Sequence, residues 1–180
     1  MKKNPMTENI ILVDENDKEV GLGEKLQVHR EGRLHRAFSI FVFNSDNQML
    51  IQQRNRNKYH SGGLWANTCC SHPRAGERLA EAAHRRLKEE MGFDCELTEI
   101  FSFIYKTGFD NGLIEHELDH VFAGTYDGEI KPNPEEAEAV EWIGLDELEG
   151  DLENQPGKYA YWFKQAISRV IGYKKRGSME

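Results

Sequence analysis

The sequence predicts an α+β fold, an α/β/α sandwich in which helices cover a mixed β-sheet. Short apolar segments rich in β-branched and aromatic residues precede one long amphipathic helix, similar segments follow it, and a second amphipathic helix comes last. The 180 residues suffice for one domain, and no repeat or linker-like segment divides them. We therefore expect a single domain over residues 1–180, with its core at roughly 9–170.

The strands are predicted from apolar segments bounded by polar turns. Residues 9–13 come first. Residues 37–43 and 49–54 flank a polar turn at 44–47, which predicts a β-hairpin. The remaining predicted strands are residues 97–106, 118–126 and 139–143.

The helices are predicted from periodicity. Residues 77–91 carry an apolar residue at every fourth position from 79 onward, and Gly92 is expected to end this helix. A second helix is expected at about 159–173, with Trp162 on its inward face, and residues 145–148 are expected to add a short helical turn.

Charge and composition narrow the class of function. The net charge of −8 argues against non-specific nucleic-acid binding, which needs a broad basic surface. No apolar run approaches the roughly 20 residues that span a bilayer, and the N-terminal residues lack a signal-peptide core, so we expect a cytoplasmic protein without a membrane partner. The three cysteines lack a C-x-x-C spacing and are expected to remain thiols.

Two pairs of reactive side chains have the spacing of one strand face. Cys70 and His72 are two residues apart, and so are Glu115 and Glu117. Side chains alternate between the faces of a strand, so each pair points to one side. If the pairs converge, a thiol and a carboxylate face each other across a substrate, which suits moving a proton between carbons.

The first helix also carries a charged face. Arg85 and Arg86 stand four residues before Glu89 and Glu90, and Glu77 extends the row. Taken alone, this face favours a solvated helix with weak ion pairs of about 0.2–0.5 kcal/mol each. The full pattern, however, resembles the Nudix helix, which binds Mg²⁺ and a diphosphate in that family.

Two positions depart from the Nudix helix pattern. Ser71 stands where the pattern has Gly, and Arg86 stands where it has a glutamate that supplies metal-binding charge. These departures disfavour ordinary Nudix hydrolysis. An arginine at this position suits a phosphate instead, because its planar fork of donors matches phosphate oxygens.

Further segments resemble the type 1 isopentenyl-diphosphate isomerases, relatives with the Nudix fold that do not hydrolyse. The resemblance spans about residues 9–170. The matching segments are 34–39, 53–54, 65–73, the helix and 115–117. It implies a Nudix fold with a mixed sheet and the interconversion of isopentenyl and dimethylallyl diphosphate.

The resemblance also implies a metal centre. A lone histidine is more often a surface or hydrogen-bonded residue. Three histidines and two glutamates, however, match the family's ligand positions as a set and suit Zn²⁺ or Mn²⁺. The implied ligands are His29, His35, His72, Glu115 and Glu117. The other histidines, His60 among them, match no ligand position of the family.

Catalytic roles follow from the same resemblance. Cys70 is expected to protonate the alkene and Glu117 to remove a proton from the other side, with Tyr105 orienting the carboxylate. The alternative role for Cys70 is that of a buried core thiol. We expect Cys69, whose side chain points to the opposite strand face, to be the core thiol instead. Trp162 matches an aromatic residue over the isoprenyl tail, with core packing as its alternative.

The diphosphate is expected to meet four cations and a magnesium ion. The matching cations are Lys25, Arg54, Lys58 and Arg86. Mg²⁺ would be held by Glu90 and by the backbone carbonyl of Cys70, and would bridge to phosphate oxygens.

Two rival functions remain open, and a monomer is the expected state. A Nudix pyrophosphatase would keep the helix and Mg²⁺ but have no use for Cys70. A non-catalytic metal- or diphosphate-binding regulator would bind both ligands without turnover.

Overall fold

A computed structural model describes residues 8–177, and a nine-stranded mixed sheet runs through that part of the chain. The strands are β1 (Asn9–Val13), β2 (Glu19–Glu24), β3 (His35–Phe43), β4 (Gln48–Arg54), β5 (Trp65–Ala66), β6 (Cys69–Ser71), β7 (Leu97–Gly108), β8 (Ile114–Thr125) and β9 (Ala137–Gly144). The helices are α1 (Lys25–Glu31), α2 (Leu79–Met91), α3 (Leu145–Asn154) and α4 (Tyr161–Gly177), with a 3-10 turn at Pro156–Lys158.

Strand β3 connects the two halves of the sheet. It runs parallel to β8 along its whole length, from His35 opposite Glu117 to Phe43 opposite Thr125. It runs antiparallel to β6, which places Ser39 opposite Cys70. Strand β8 in turn pairs with β7 along its length. The register therefore places residues 35, 105 and 117 side by side, and residue 70 four positions further along β3, although they are far apart in sequence.

The two faces of β3 bury against different helices. Phe38, Ile40 and Val42 belong to the core cluster that contains the apolar stripe of α2. Phe41 and Phe43 belong to the cluster that contains the apolar stripe of α4. Because side chains alternate along a strand, one continuous apolar segment supplies both cores. The predicted α/β/α sandwich with a mixed sheet is confirmed.

The predicted hairpin forms its turn, but its strands separate. Asn44 and Gln48 exchange hydrogen bonds around the turn, and Phe43 pairs with Met49. Beyond that pair β3 joins β6 and β8, whereas β4 joins β5 and β9. The turn was therefore predicted correctly from the local sequence. The pairing partners of β3 and β4 depend instead on the burial of both strands on both faces.

Other boundaries differ from the prediction. Strand β2 and helix α1 were not predicted, and His29 lies on α1. Residues 145–148 are the start of a ten-residue helix. Helix α2 ends at Gly92 as predicted, in the left-handed conformation at φ 75°, where a Cβ would also lie 2.6 Å from the carbonyl oxygen of Lys131.

Among residues 8–177, no helix is both long enough and apolar enough to span a bilayer.

Candidate active site

A cavity at one end of the sheet collects most of the side chains predicted to act on substrate. Eleven predicted site residues line it: Lys25, Arg54, Lys58, Cys70, His72, Arg86, Glu90, Tyr105, Glu115, Glu117 and Trp162. His29 and His35 are fully buried beside it, with their rings 5.8 and 5.0 Å from that of His72. The structure thus brings together every residue of the predicted set.

The segment that carries Cys70 is fastened by two buried polar side chains. The Asn67 amide donates to the carbonyl oxygens of Ile40 and Cys69, at 3.2 and 2.6 Å. The Thr68 hydroxyl donates to Leu50 O at 2.7 Å and accepts from Val42 N at 2.9 Å. These bonds replace ladder bonds with side-chain bonds and hold β6 in one register against β3.

The two adjacent cysteines face opposite sides of β6. Cys69 is fully buried in the core under α2, as predicted for that position. Cys70 lines the cavity, where its Sγ lies 3.7 Å from Arg54 Nη1. Burial raises the pKa of the Cys70 thiol and the Arg54 charge opposes that shift only in part. The thiol is therefore held protonated.

The Glu117 carboxylate is enclosed by the Tyr105 hydroxyl and two imidazoles. The Tyr105 hydroxyl donates to Oε2 at 2.6 Å, and Oε1 lies 3.0 Å from His72 Nε2 and 3.4 Å from His35 Nε2. Burial alone would raise the pKa of Glu117, but the His35 and His72 contacts outweigh it and hold that pKa well below its usual range. Glu117 is therefore ionised and can accept a proton.

Glu115 shares the buried face with Glu117. Its Oε2 accepts a second contact from the Tyr105 hydroxyl at 3.1 Å. Burial, and then the nearby Glu117 charge, raise the pKa of Glu115. Two carboxylates this close hold a proton or a cation between them.

The imidazoles fit a metal ion. His29 Nδ1 donates to Lys25 O at 2.7 Å and His35 Nδ1 donates to Arg33 O at 2.9 Å, because a carbonyl oxygen can only accept. In a neutral imidazole held this way Nε2 carries the lone pair, and neither Nε2 has a hydrogen-bond partner among the described residues. This arrangement, with Nδ1 held by a carbonyl, is typical of metal-binding histidines.

The donor atoms also lie at suitable separations. Those of His29, His35, His72 and Glu117 are all within 4.8 Å of one another. Burial lowers the pKa of His29 to about 4 and that of His72 to about 3, so both imidazoles are neutral, the form that binds metal. This cluster could hold a divalent ion.

A second group of cavity residues, the cation region, consists of Lys25, Lys58, Arg86 and the carboxylates Glu90 and Glu136. Arg86 Nη2 lies 2.5 Å from Glu90 Oε1 and 3.1 Å from Glu136 Oε1. Lys58 also pairs with Glu136. Burial, together with the charges of Lys58 and Arg86, lowers the pKa of Lys25. Three cations that line one cavity suit an anionic group of a ligand.

Trp162 combines the two roles that the sequence left open for it, core packing and lining of the cavity. It belongs to the core cluster under α4 and also lines the cavity. Its Nε1 donates to Asn67 Oδ1 at 3.0 Å, and the Arg54 guanidinium lies 5.0 Å from its ring centroid. The ring is thus fixed over the cavity by contacts with two of the predicted segments.

Tyr59, His60 and Glu136 are among the cavity residues that the sequence did not predict. Tyr59 and His60 lie in the segment between β4 and β5, which has no periodicity to interpret. Glu136 precedes β9 in a polar segment with several other acidic residues. No local pattern distinguishes these residues from solvent-exposed ones.

Comparison with known proteins agrees with this geometry. Residues 33–163 match the NUDIX domain family. The chain is 54% identical over 166 residues to an Isopentenyl-diphosphate Delta-isomerase 2 from Aromatoleum aromaticum, covering 92% of this chain and 88% of that protein. It is 49% identical over 169 residues to the Isopentenyl-diphosphate Delta-isomerase of Pectobacterium atrosepticum, covering 94% of both.

Solved structures share the fold at lower identity. DR0079 from Deinococcus radiodurans superposes with a TM-score of 0.69 at 21% identity, covering 82% of this chain and 90% of that one. A MutT NUDIX hydrolase from Burkholderia pseudomallei gives 0.62 at 20% identity, covering 77% and 98%. The chain belongs to the NUDIX family, in the group whose curated members are named isopentenyl-diphosphate Delta-isomerase.

Proposed function

We propose that this protein is an isomerase that interconverts isopentenyl diphosphate and dimethylallyl diphosphate in isoprenoid biosynthesis. The observation that carries the proposal is one cavity lined by a protonated thiol, an ionised carboxylate and a group of cations. A 1,3 proton shift needs an acid and a base whose pKa values are pushed apart, and a diphosphate needs the cations.

The first step belongs to Cys70. Its S–H transfers a proton to the terminal alkene carbon, whose π electrons form the new C–H bond and leave a tertiary carbocation. Arg54, 3.7 Å from Sγ, compensates the thiolate that remains. Without that cation, a buried thiolate would be strongly disfavoured.

The second step belongs to Glu117. Its carboxylate removes a proton from the carbon on the other side of the cation, and the electrons of that C–H bond form the new double bond. Tyr105, donating at 2.6 Å, fixes the orientation of the carboxylate. A carboxylate is a weak base, but a C–H beside a carbocation is acidic enough for it.

The cation is protected chiefly by its surroundings. Trp162 offers a ring face, which contributes about 0.5–2 kcal/mol to a nearby cation. That is small beside the many kcal/mol that catalysis removes from such a barrier. Exclusion of water and the fixed buried carboxylates therefore provide most of the stabilisation.

The diphosphate is assigned to the cation region. Lys25, Lys58 and Arg86 would contact phosphate oxygens, and Arg54 would reach them from the neighbouring wall. Mg²⁺ would be held there by Glu90 and by the Cys70 carbonyl, and would neutralise phosphate charge.

A second ion, Zn²⁺ or Mn²⁺, is assigned to His29, His35, His72, Glu115 and Glu117. When bound, it supplies fixed positive charge that holds Glu117 ionised and in place. A single domain with its core at 9–170, acting as a monomer in the cytoplasm, completes the proposal.

A direct assay tests the reaction. The purified protein is incubated with isopentenyl diphosphate and Mg²⁺ in D₂O, and the product is followed by proton NMR together with phosphate release. Deuterium-labelled dimethylallyl diphosphate without phosphate release is the expected result. Release of phosphate would support a hydrolase instead, and neither product would support a binding protein.

The residue at position 86 of α2 disfavours the rival hydrolase. Arg86 stands where the Nudix helix pattern has a glutamate that supplies metal-binding charge, so α2 has one carboxylate fewer than a hydrolase would use. Arg85 pairs with Glu89 on this helix and with Glu77, which precedes it.

A further inference from the structure

His60 is the buried imidazole of the cavity that the proposed reaction does not use. Its side chain is 2% exposed, and its Nε2 lies 2.8 Å from Glu115 Oε1. That contact does not have hydrogen-bond geometry, and among residues 8–177 this nitrogen has no hydrogen-bond partner. A buried polar atom of this kind needs a partner that the protein part of the site does not supply.

The separation and the poor alignment together fit two ligands of one ion. Two donor atoms at about 2.1 Å from a metal and at right angles to each other lie about 3 Å apart. Their lone pairs then point at the ion and not at each other. The contact of Glu117 Oε1 with His35 Nε2, at 3.4 Å and also without hydrogen-bond geometry, falls in the same range.

The clusters around His29 indicate which ion His60 serves. The donor atoms of His29, His60 and Glu115 all lie within 4.8 Å of one another. His29 also belongs to the cluster with His35, His72 and Glu117. Its Nδ1 donates to the Lys25 carbonyl oxygen, so His29 has only the Nε2 lone pair available for a metal ion. Two ions cannot share that lone pair, and both clusters therefore belong to one centre.

The ring of His60 is held in place before any ligand binds. It stacks on Phe109 with 4.5 Å between centroids and 10° between planes, and meets Tyr59 edge-on at 4.4 Å. The Asn111 amide donates to Tyr59 O at 2.7 Å, which ties the segment to the turn between β7 and β8. Such support is what a metal ligand requires, because a loosely held ligand lowers affinity.

We propose that His60 is a further ligand of the ion bound at His29. The centre then has four imidazoles and two carboxylates, and six donors suit an octahedral ion better than the tetrahedral preference of Zn²⁺. This inference rests on the metal centre of the proposed function. Its test measures metal binding without turnover, so it fails or succeeds independently of the isomerase assay.

The experiment titrates metal-stripped protein with Co²⁺ in the absence of diphosphate, following both heat and visible absorption. His60→Phe keeps the aromatic ring against Phe109 and removes the nitrogen. We expect one Co²⁺ per chain for the unsubstituted protein, at least tenfold weaker binding for His60→Phe, and a changed ligand-field spectrum. The matched control is His84→Ala, a half-exposed histidine paired with Asp94 outside the cavity, which should leave both readouts unchanged.

Several outcomes would overturn the inference. One is unchanged affinity and spectrum in His60→Phe while His29→Phe loses the ion. Another is a second Co²⁺ that His60→Phe removes while the first remains. Failure of the unsubstituted protein to bind Co²⁺ would overturn the metal centre itself, whatever the isomerase assay reports.

A measurement on the unsubstituted protein covers the case in which His60→Phe does not fold. Protein labelled with ¹⁵N-histidine is compared by NMR without and with one equivalent of Zn²⁺. The Nε2 resonance of His60 should move together with that of His29. A His60 resonance that stays in place while the His29 resonance moves would overturn the inference.

Discussion

Glu117 and Glu136 are two carboxylates of one cavity that are kept ionised by different means. Glu117 is buried, and imidazoles and the Tyr105 hydroxyl surround it. Glu136 keeps 18% of its side chain exposed and pairs with Lys58 and Arg86. Burial alone would raise the pKa of either group, but the His35 and His72 contacts lower that of Glu117, and the Arg86 and Lys58 charges lower that of Glu136 to about 2.

The surroundings of Glu117 fix its orientation as well as its charge, whereas those of Glu136 fix mainly its charge. Around Glu117, Tyr105 and His35 are both held by strand pairing with Glu117, and the His35 ring is also held by its bond to Arg33 O, so the carboxylate has one orientation, as proton transfer requires. Around Glu136 the partners are long, flexible cations near solvent, which can exchange one anion for another. The first region suits chemistry, and the second suits binding and release of a charged group.

The largest effect is expected from removing the proton-transfer groups. Cys70→Ala and Glu117→Gln should each lower kcat by roughly 10³-fold or more, since general acid–base groups contribute about 10²–10⁴-fold. Isomerisation is followed by NMR, with circular dichroism to confirm folding. Cys69→Ala is the matched control, because Cys69 faces the core and should keep its activity. Near-normal turnover in either site variant would refute its assigned role.

The next largest effect tests the cation region. Arg86→Ala should raise KM by roughly 30–100-fold, equivalent to about 2–3 kcal/mol, because it removes a charged donor pair facing the phosphate. Arg85→Ala is the control on the same helix, since Arg85 pairs with Glu77 and Glu89. Initial rates over a range of substrate concentration give KM for both. Equal changes in the two variants would contradict a phosphate role for Arg86.

A smaller effect is expected at Tyr105. Tyr105→Phe removes the hydroxyl that donates to Glu117 and Glu115. A hydrogen bond to a charged group is worth about 1.5 kcal/mol at the lower end, so kcat should fall by about tenfold with KM unchanged. A rise in KM with unchanged kcat would place Tyr105 in substrate binding instead of carboxylate orientation.

The smallest effect concerns stability and pH. Because the pKa of folded Glu136 is lowered from its ordinary 4.5 to about 2, its contribution is fully present above pH 4.5 and is lost as pH falls toward 2. Glu136→Gln should therefore cost about 1 kcal/mol at neutral pH and almost nothing near pH 2. Urea unfolding at several pH values measures this. The exposed Glu153→Gln is the control, and a cost that persists at low pH would exclude the ionic origin.

Periodicity and turn chemistry were enough to predict most of the fold. Alternation and helical spacing are local, so the strands at 9–13 and 37–43 and the helix ending at Gly92 were predicted close to their observed bounds. Helix α1 was missed because its seven residues begin directly after β2 and carry a short apolar stripe. Its start depends on the Glu24 side chain, which accepts from the backbone of Leu26 and Gln27.

The chemistry of the site was determined by the sequence alone. The identities and spacing of Cys70, His72, Glu115 and Glu117, and the arginine at 86, already restricted the reaction class. Tertiary structure decided which groups meet. Parallel pairing of β3 with β8 sets His35 beside Glu117, and stacking on Phe109 brings His60 to Glu115. Local patterns report which face of an element is buried, whereas the choice of partner depends on packing between segments far apart in the chain.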